Sequence, residues 1–187
     1  MAEQEKTLFD GIDCLRQGRL TEAGERFLAV ILAEGGFSSL EELDRAVRLA
    51  AREKRPANLS LLARSALFGL GLVHAREQQF RDAEDCVLNS AYSSDHPALW
   101  ILAGTYYLAL SDAEVDTAIA YFEAACRASP AWYGRSADAV SRFHKTRLLY
   151  YPPSALSPYI EHWERFCREM GLKPDERAVE PEWLASY

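Results

Sequence analysis

Three segments of this 187-residue chain carry the same spaced set of small and large residues, and this repetition constrains the fold most strongly. The fullest copy has small and aromatic residues before a turn, and a phenylalanine between two alanines after the turn. Its positions are Trp100, Ala103, Gly104, Tyr107, Ala118, Phe122, Ala125 and Pro130. Small residues let two helices approach closely, and a large residue on one helix fills the space between them. The spacing therefore predicts pairs of packed helices.

The fullest copy, at about residues 97–130, resembles the tetratricopeptide repeat (TPR), in which W-x2-L-G-x2-Y lies on one helix and A-x3-F…P on the next. A second copy, at about 64–96, places Gly71 33 residues before Gly104. This distance is close to the family period of about 34 residues. A first copy, at about 4–35, is degenerate, since it keeps the small positions better than the large ones. The resemblance implies a right-handed α-solenoid of about three helix pairs.

An extra helix is predicted between the first and second copies, because their equivalent glycines, Gly11 and Gly71, lie 60 residues apart. Ser39 and Glu42 form a capping-box pattern, and an apolar stripe of helical period follows them. The pattern predicts an inserted helix over about 39–54. A strongly diverged extra repeat is the alternative interpretation of this interval.

The C-terminal part of the chain is also predicted to be helical. Candidate helices at about 131–150 and 158–170 are separated by the proline-containing run 151–153, and they would cap the solenoid. The prediction is one all-α domain over 1–172, followed by a tail at 173–187. An ordinary helical bundle with chance spacing of its glycines and alanines is the alternative.

Charge and composition limit the classes of partner. A net charge of −7 argues against non-specific binding to nucleic acid. A basic and aromatic stretch at about 132–151 is interpreted as an end helix, with a docking patch for an acidic partner or RNA as alternatives. The N-terminus lacks a signal-peptide pattern, and the longest apolar stretch is too short to span a membrane. Four widely separated cysteines are typical of reduced thiols, so a cytoplasmic location is expected.

Sequence motifs for chemistry are missing. The chain contains no Gly-rich phosphate loop, no H-E-x-x-H, no C-x-x-C and no G-x-S-x-G. The four histidines are scattered, and His74 occupies a position where the repeat family carries an aromatic core residue. The sequence therefore predicts a protein that is not an enzyme and that holds no metal or cofactor.

In TPR proteins the first helix of each pair lines a concave groove, and the resemblance carries this role onto nine positions of this chain. They are Leu8, Ile12, Leu15, Phe68, Leu72, Arg76, Ile101, Thr105 and Leu108. The set is mostly apolar and lacks the Lys, Asn and Arg clamp with which some family members hold a C-terminal carboxylate. A groove of this kind suits a hydrophobic peptide, an amphipathic helix or a second copy of the chain.

The leading hypothesis is a non-catalytic adaptor or chaperone that holds a hydrophobic segment of a protein partner in this groove. Size, acidity and groove composition are similar to those of small bacterial TPR chaperones of type III secretion, which are one option. The alternative is a structural assembly subunit that forms a homodimer or fills the groove with its own C-terminal helices. Trp163, Phe166 and Trp183 are the candidate side chains for that filling. An enzyme without a visible motif is the third hypothesis.

Overall fold

We describe a computed structural model of the chain, over residues 3–53, 58–94, 96–110, 114–132, 136–141 and 153–171. All regular secondary structure in these ranges is helical, so the all-α prediction is confirmed for the described part. None of the helices in these ranges is long and apolar enough to cross a membrane. The chain divides into two compact units, Met1–Asp95 and His96–Tyr187, and the division falls at the start of the third predicted repeat.

The first unit consists of two helical hairpins with a further helix between them. Its helices are α1 (Glu3–Arg16), α2 (Leu20–Gly35), α3 (Leu40–Arg52), α4 (Leu61–Arg76) and α5 (Phe80–Ser94). α1 packs against α2, and α4 packs against α5. The two hairpins stack because α2 also packs extensively against α4, and α1 contacts α4 as well. The inserted helix predicted from the sequence is α3, which packs against α5.

Phe27 of α2 lies where three helices meet. A Cβ atom added to Gly11 of α1 would lie 2.9 Å from its ring, and one added to Gly69 of α4 would lie 2.6 Å from it. A Cβ at Gly71 of α4 would similarly lie 2.7 Å from Val87 of α5. Real Cβ atoms do not approach other atoms this closely, so each glycine is required by the packing. Close approach at glycine thus holds α1, α4 and α5 in place.

The start of α3 carries the predicted capping interaction in a modified form. The backbone N–H of Glu42 donates to the hydroxyl of Ser39 at 3.3 Å, as a capping box requires. The carboxylate of Glu42, however, accepts from the backbone N–H and the hydroxyl of Ser38, at 2.9 and 2.7 Å. These two hydrogen bonds, the Ser38 hydroxyl first, lower the pKa of Glu42. The second hydrogen bond of the capping box, which the Glu42 carboxylate accepts, therefore comes from Ser38 and not from Ser39.

One face of α3 docks into the core of the first unit. Leu43, Val47 and Ala50 are at most 1% exposed and belong to the same hydrophobic cluster as Phe27. The spacing of four and three residues places all three side chains on one side of the helix. The inserted helix is therefore an integral part of this unit.

The second unit contains one more hairpin and the C-terminal helices. Its elements are α6 (Pro97–Leu108), α7 (Val115–Ala128), a 3-10 turn (Pro130–Trp132), α8 (described over residues 136–141) and α9 (Pro153–Glu169). α6 packs against α7, and α7 also packs against the 3-10 turn and α9.

The α6–α7 hairpin repeats the glycine–phenylalanine packing of the first unit. A Cβ atom added to Gly104 would lie 2.8 Å from the ring of Phe122, which is 1% exposed. Ala118 and Ala125, the small positions predicted on the second helix of the pair, are fully buried. The predicted contact positions of the fullest repeat are therefore in the interior of the hairpin.

The C-terminal helices differ from the prediction in their bounds. α9 begins at Pro153 and contains Pro158, where the sequence predicted its start. A proline at the first helical position loses no intrahelical hydrogen bond, and one five residues later removes a single bond near the helix end. Within the helix predicted over 131–150, the structure describes the end of the 3-10 turn and α8, and residues 133–135 and 142–150 lie outside the described ranges. The predicted tail at 173–187, with Trp183, lies outside them too.

Candidate functional site

Three of the predicted groove residues in the first unit are core residues. Leu8, Leu15 and Leu72 are 6%, 2% and 5% exposed, and all belong to the hydrophobic cluster around Phe27. α1 and α4 contact each other, so apolar side chains between them are removed from solvent. The prediction that these leucines face a partner is corrected accordingly, since they offer no open surface.

The other groove positions of the first unit also take part in its packing. Ile12 and Phe68 are half-buried against the same core. The guanidinium of Arg76 donates to the backbone carbonyl of Leu15 at 2.5 Å, which caps the C-terminal end of α1. The face between α1 and α4 is therefore closed by its own side chains, and Arg76 has a structural partner.

The three groove positions of the second unit lie on α6. Ile101 and Leu108 are half-buried and pack against the core that contains Trp163 and Phe166 of α9. Thr105 is exposed, and its hydroxyl donates to the carbonyl of Ile101 one turn earlier at 2.8 Å. Ile101 and Leu108 are thus partly covered by the packing of their own unit, in which α6 packs against α7 and α7 packs against α9.

A wide cleft of about 860 Å³ opens between α3 and the α4–α5 hairpin of the first unit. Its lining residues are Leu40, Glu41, Leu43, Asp44, Arg45, Arg48, Leu49 and Arg52 of α3, Leu67 and His74 of α4, and Asp82, Asp85, Cys86 and Asn89 of α5. The lining is thus partly aliphatic and partly charged. Leu49, on the wall of the cleft, is 49% exposed. The repeat pattern could not reveal this cleft, because α3 has no counterpart in the repeat.

An arginine bridges two carboxylates where α3 meets α5. The Nε of Arg48 lies 2.9 and 2.8 Å from the two carboxylate oxygens of Asp44, and one Nη lies 3.1 Å from Asp85. The side-chain amide of Asn89 donates to Asp44 at 3.4 Å. Asp44 of α3 contacts Asn89 of α5, and Arg48 of α3 contacts Asp85 of α5. The contacts therefore follow opposite sequence order along the two helices. This polar network joins α3 to α5 at the wall of the cleft.

The electrostatics of the cleft follow from burial beside these charges. Burial raises the pKa of Asp85; the Arg48 guanidinium lowers it by less, and the Asp44 carboxylate adds a smaller increase. The hydrogen bond to Asp44 raises the pKa of the Arg48 guanidinium. Burial raises the pKa of the Cys86 thiol to about 12. At neutral pH this thiol is protonated, so it lacks the thiolate character that a nucleophile or metal ligand needs.

His74 and the metal-binding potential of the cleft complete its chemical description. His74, which also lines it, places Nδ1 2.7 Å from the side-chain oxygen of Gln79. Within the part of the chain that the structure describes, no cluster of three or more His, Cys, Asp or Glu residues is placed to hold a metal ion. Nine of the fourteen residues that line the cleft are polar or charged, and the other five are leucines or Cys86.

A second polar network joins α7 to α9 in the other unit. The side chain of Glu123 is 8% exposed, and it accepts from Arg127 at 2.7 Å and contacts Nε2 of His162 at 2.7 Å. One Nη of Arg165 lies 3.3 Å from Nδ1 of the same imidazole, and the Arg127 guanidinium lies 5.1 Å from the ring centre of Phe166. A buried carboxylate paired in this way fixes neighbouring helices. We assign this network to the attachment of α9.

Comparison with known proteins adds no relative to this picture. No protein-family model matches the chain, and no curated protein or solved structure matches it. The glycine-mediated hairpins and the cleft beside α3 are therefore the observations from which its function is inferred.

Proposed function

We propose that this chain is a non-catalytic TPR-like repeat protein that binds a segment of a protein partner. Two observations support the repeat assignment. Gly11 and Phe27 in the first hairpin, and Gly104 and Phe122 in the third, occupy the same repeat positions and make the same close contact. The first two hairpins stack through α2 and α4, as successive repeats of a solenoid do. A cytoplasmic location fits the buried, free cysteines.

The cleft beside α3 is the partner-binding surface in this proposal. The single observation that carries it is the open volume of about 860 Å³ with the half-exposed Leu49 on its wall. Clefts are the usual sites of ligand binding in proteins. Burying one aliphatic side chain of a partner there would contribute roughly 1.5–3 kcal/mol.

The proposed binding surface is therefore the cleft beside α3 and not the groove that the repeat resemblance implied. Within the first unit, the groove leucines are buried and Arg76 holds the end of α1. A hydrophobic segment would have to displace these internal contacts in order to enter that face. The cleft needs no such rearrangement.

A structural role for the C-terminal helices is the second candidate function. Ile101 and Leu108, two predicted groove positions, pack against the core to which Trp163 and Phe166 contribute. α9 joins this core through α7, and its attachment there is the observation that favours the hypothesis of a groove filled by the protein's own C-terminal helices. An assembly subunit of this kind would form a homodimer or larger assembly and would capture no separate partner.

A matched pair of substitutions tests the proposed function. Leu49→Glu places a charge on the wall of the cleft, whereas Leu61→Glu places one on α4 at a leucine that is 69% exposed and does not line the cleft. Both variants should remain folded by circular dichroism, because both side chains are exposed. Affinity capture from native lysate should recover a specific partner with the wild type and Leu61→Glu, and lose it with Leu49→Glu. Equal capture by both variants would contradict the proposal.

A further inference from the structure

We infer that two copies of the free chain form a dimer in which the exposed side of α3 packs antiparallel against the same side of α3 in the second copy. This side carries four residues that line the cleft, and we call them the α3 stripe: Glu41, Arg45, Leu49 and Arg52. The dimer is a property of the chain without its partner and goes beyond the proposed function. A partner segment in the cleft would compete with the second copy for the α3 stripe.

The α3 stripe is the side of the helix that faces solvent. Its members follow one another at intervals of four, four and three residues, the spacing that places side chains on one side of a helix. All of them are exposed, and Leu49 is 49% exposed. Leu43, Val47 and Ala50 occupy the opposite side of α3 and are buried in the core of the first unit. The α3 stripe therefore stays accessible when α3 is docked.

The order of charges along the α3 stripe is complementary to itself in an antiparallel pair. In such a pair the start of one helix lies beside the end of the other, so Glu41 of each copy faces Arg52 of the second copy. A guanidinium binds a carboxylate through two parallel hydrogen bonds. Between these ends, Leu49 faces Arg45 of the second copy, whose methylene groups cover an aliphatic side chain while the guanidinium stays in water. Two-fold symmetry makes each contact twice.

The charged members of the α3 stripe are available for these contacts. Hydrogen bonds from its own backbone N–H and from Ser39 lower the pKa of Glu41, so its carboxylate is ionised at neutral pH. A carboxylate accepts about four hydrogen bonds in all. Neither Arg45 nor Arg52 forms an ion pair within 4.0 Å with any residue of the described ranges. Arg45 acts only weakly on the pKa of Glu42.

The mixed charge of the cleft favours a second copy over a segment of one charge sign. Four carboxylates and three arginines line the cleft. Asp44 and Asp85 share the guanidinium of Arg48, so these three charges interact within one copy. A purely acidic segment would meet the carboxylates, and a purely basic one would meet the arginines. A second copy presents each sign on the α3 stripe to its opposite.

The dimer is expected to be weak. Contact along one side of a 13-residue helix buries less than the roughly 1,200 Å² of total surface that stable interfaces bury at least. The net charge of −7 on each copy opposes association only modestly, because charges separated by more than about 8 Å are largely screened at physiological ionic strength. The dimer should therefore form at high protein concentration, and a partner should be able to displace the second copy.

Analytical ultracentrifugation of the full chain over a concentration series, with charge-reversed variants, tests the inference. The mass of the wild type should rise towards that of a dimer. Glu41→Arg alone and Arg52→Glu alone should each self-associate at least tenfold more weakly, because like charges then face each other at both ends of the helix pair. An equimolar mixture of these two variants should recover the dimer, since one copy carries arginine and the other carries glutamate at both positions. Glu41→Arg/Arg52→Glu should associate like the wild type.

Arg26→Glu is the matched control, because it reverses the charge of an exposed arginine of α2 that does not line the cleft. This variant should retain wild-type self-association. Circular dichroism checks that each variant is folded. If a single variant fails to fold, Arg52→Ala takes its place and should also weaken the dimer.

Three results would overturn the inference: a wild type that stays monomeric over the whole series, charge-reversed or neutralised single variants that associate like the wild type, or a mixture that does not recover the dimer. None of these measurements uses the partner captured from lysate. Their failure therefore leaves the proposed function standing, and equal capture by Leu49→Glu and Leu61→Glu contradicts the proposed function without bearing on the dimer.

Discussion

The guanidinium of Arg76 donates a hydrogen bond to the backbone carbonyl oxygen of Leu15, 2.5 Å away and 61 positions earlier in the sequence. The same carbonyl also accepts from the backbone N–H of Gly18 at 3.1 Å, so Arg76 is a second donor to the end of α1. It also joins the first helices of two successive hairpins. A residue that the repeat resemblance assigned to partner binding therefore contributes to the stacking of the hairpins.

We expect Arg76→Ala to destabilise the first unit by roughly 1.5–3 kcal/mol, the usual range for a hydrogen bond to a charged group. Urea unfolding measures this change. Arg16→Ala is the matched control on the same end of α1, because Arg16 forms only an exposed ion pair with Asp13 at 3.5 Å. Such pairs contribute about 0–1 kcal/mol. Equal destabilisation by the two substitutions would show that the contact with Leu15 contributes no more to stability than an exposed ion pair.

Two glycine-to-alanine substitutions should change the stability of the protein in opposite directions. In Gly104→Ala the new methyl group would lie 2.8 Å from the Phe122 ring, so we expect overpacking to cost roughly 1–3 kcal/mol. In Gly24→Ala the methyl group would meet Leu70 and Val73 at an ordinary 3.8 Å. There the lower entropy of the unfolded chain should stabilise the protein by about 0.4–1 kcal/mol. Thermal unfolding of both variants tests the packing, and stabilisation by Gly104→Ala would refute the close contact.

The raised pKa of Asp85 predicts a specific dependence of stability on pH. Because the fold favours its neutral form, the contribution of Asp85 is fully present below the unfolded value near 3.8 and is lost as pH rises through the folded value. The Asp85→Asn variant has no carboxyl group to ionise, so it does not lose stability in this way. We therefore expect the stability of the variant, relative to wild type, to increase as pH rises upward from 3.8. Urea unfolding across this range measures the difference, and a difference that stays constant or shrinks would contradict the prediction.

The thiol of Cys86 should be unreactive in the native protein. It is 7% exposed, and burial raises its pKa to about 12. The other three cysteines, Cys14, Cys126 and Cys167, are also buried and free. A thiol reagent such as Ellman's reagent should label none of the four quickly at neutral pH, and all of them in urea. Rapid labelling of Cys86 in the native state, identified by mass spectrometry, would show that the reagent reaches this thiol through the cleft.

The hairpins were predictable because their signal is local. Glycine on one helix and phenylalanine on the next impose a close contact wherever the two helices pair, as at Gly104 and Phe122. The start of α3 was likewise visible in Ser39 and Glu42. The start of α9 was misplaced, because Pro158 is tolerated near the beginning of a helix that Pro153 already initiates.

The functional surface was harder to predict, because it depends on which helices meet. A leucine such as Leu72 has the same sequence signature in a groove and in a core, and only the contact between α1 and α4 decides between them. The cleft depends on Arg48 meeting Asp85, 37 positions away on a helix that is not its neighbour in the chain.

Hydrogen–deuterium exchange of the full chain, with and without the partner captured from lysate, tests the central claim most directly. If the cleft binds the partner, backbone amides of α3 over Leu40–Arg52 should be protected in the complex, together with the part of α5 that lines the cleft. Amides of α6 should exchange at the same rate in both states. Protection of α6 with unchanged exchange in α3 would contradict the claim and return the binding surface to the repeat groove.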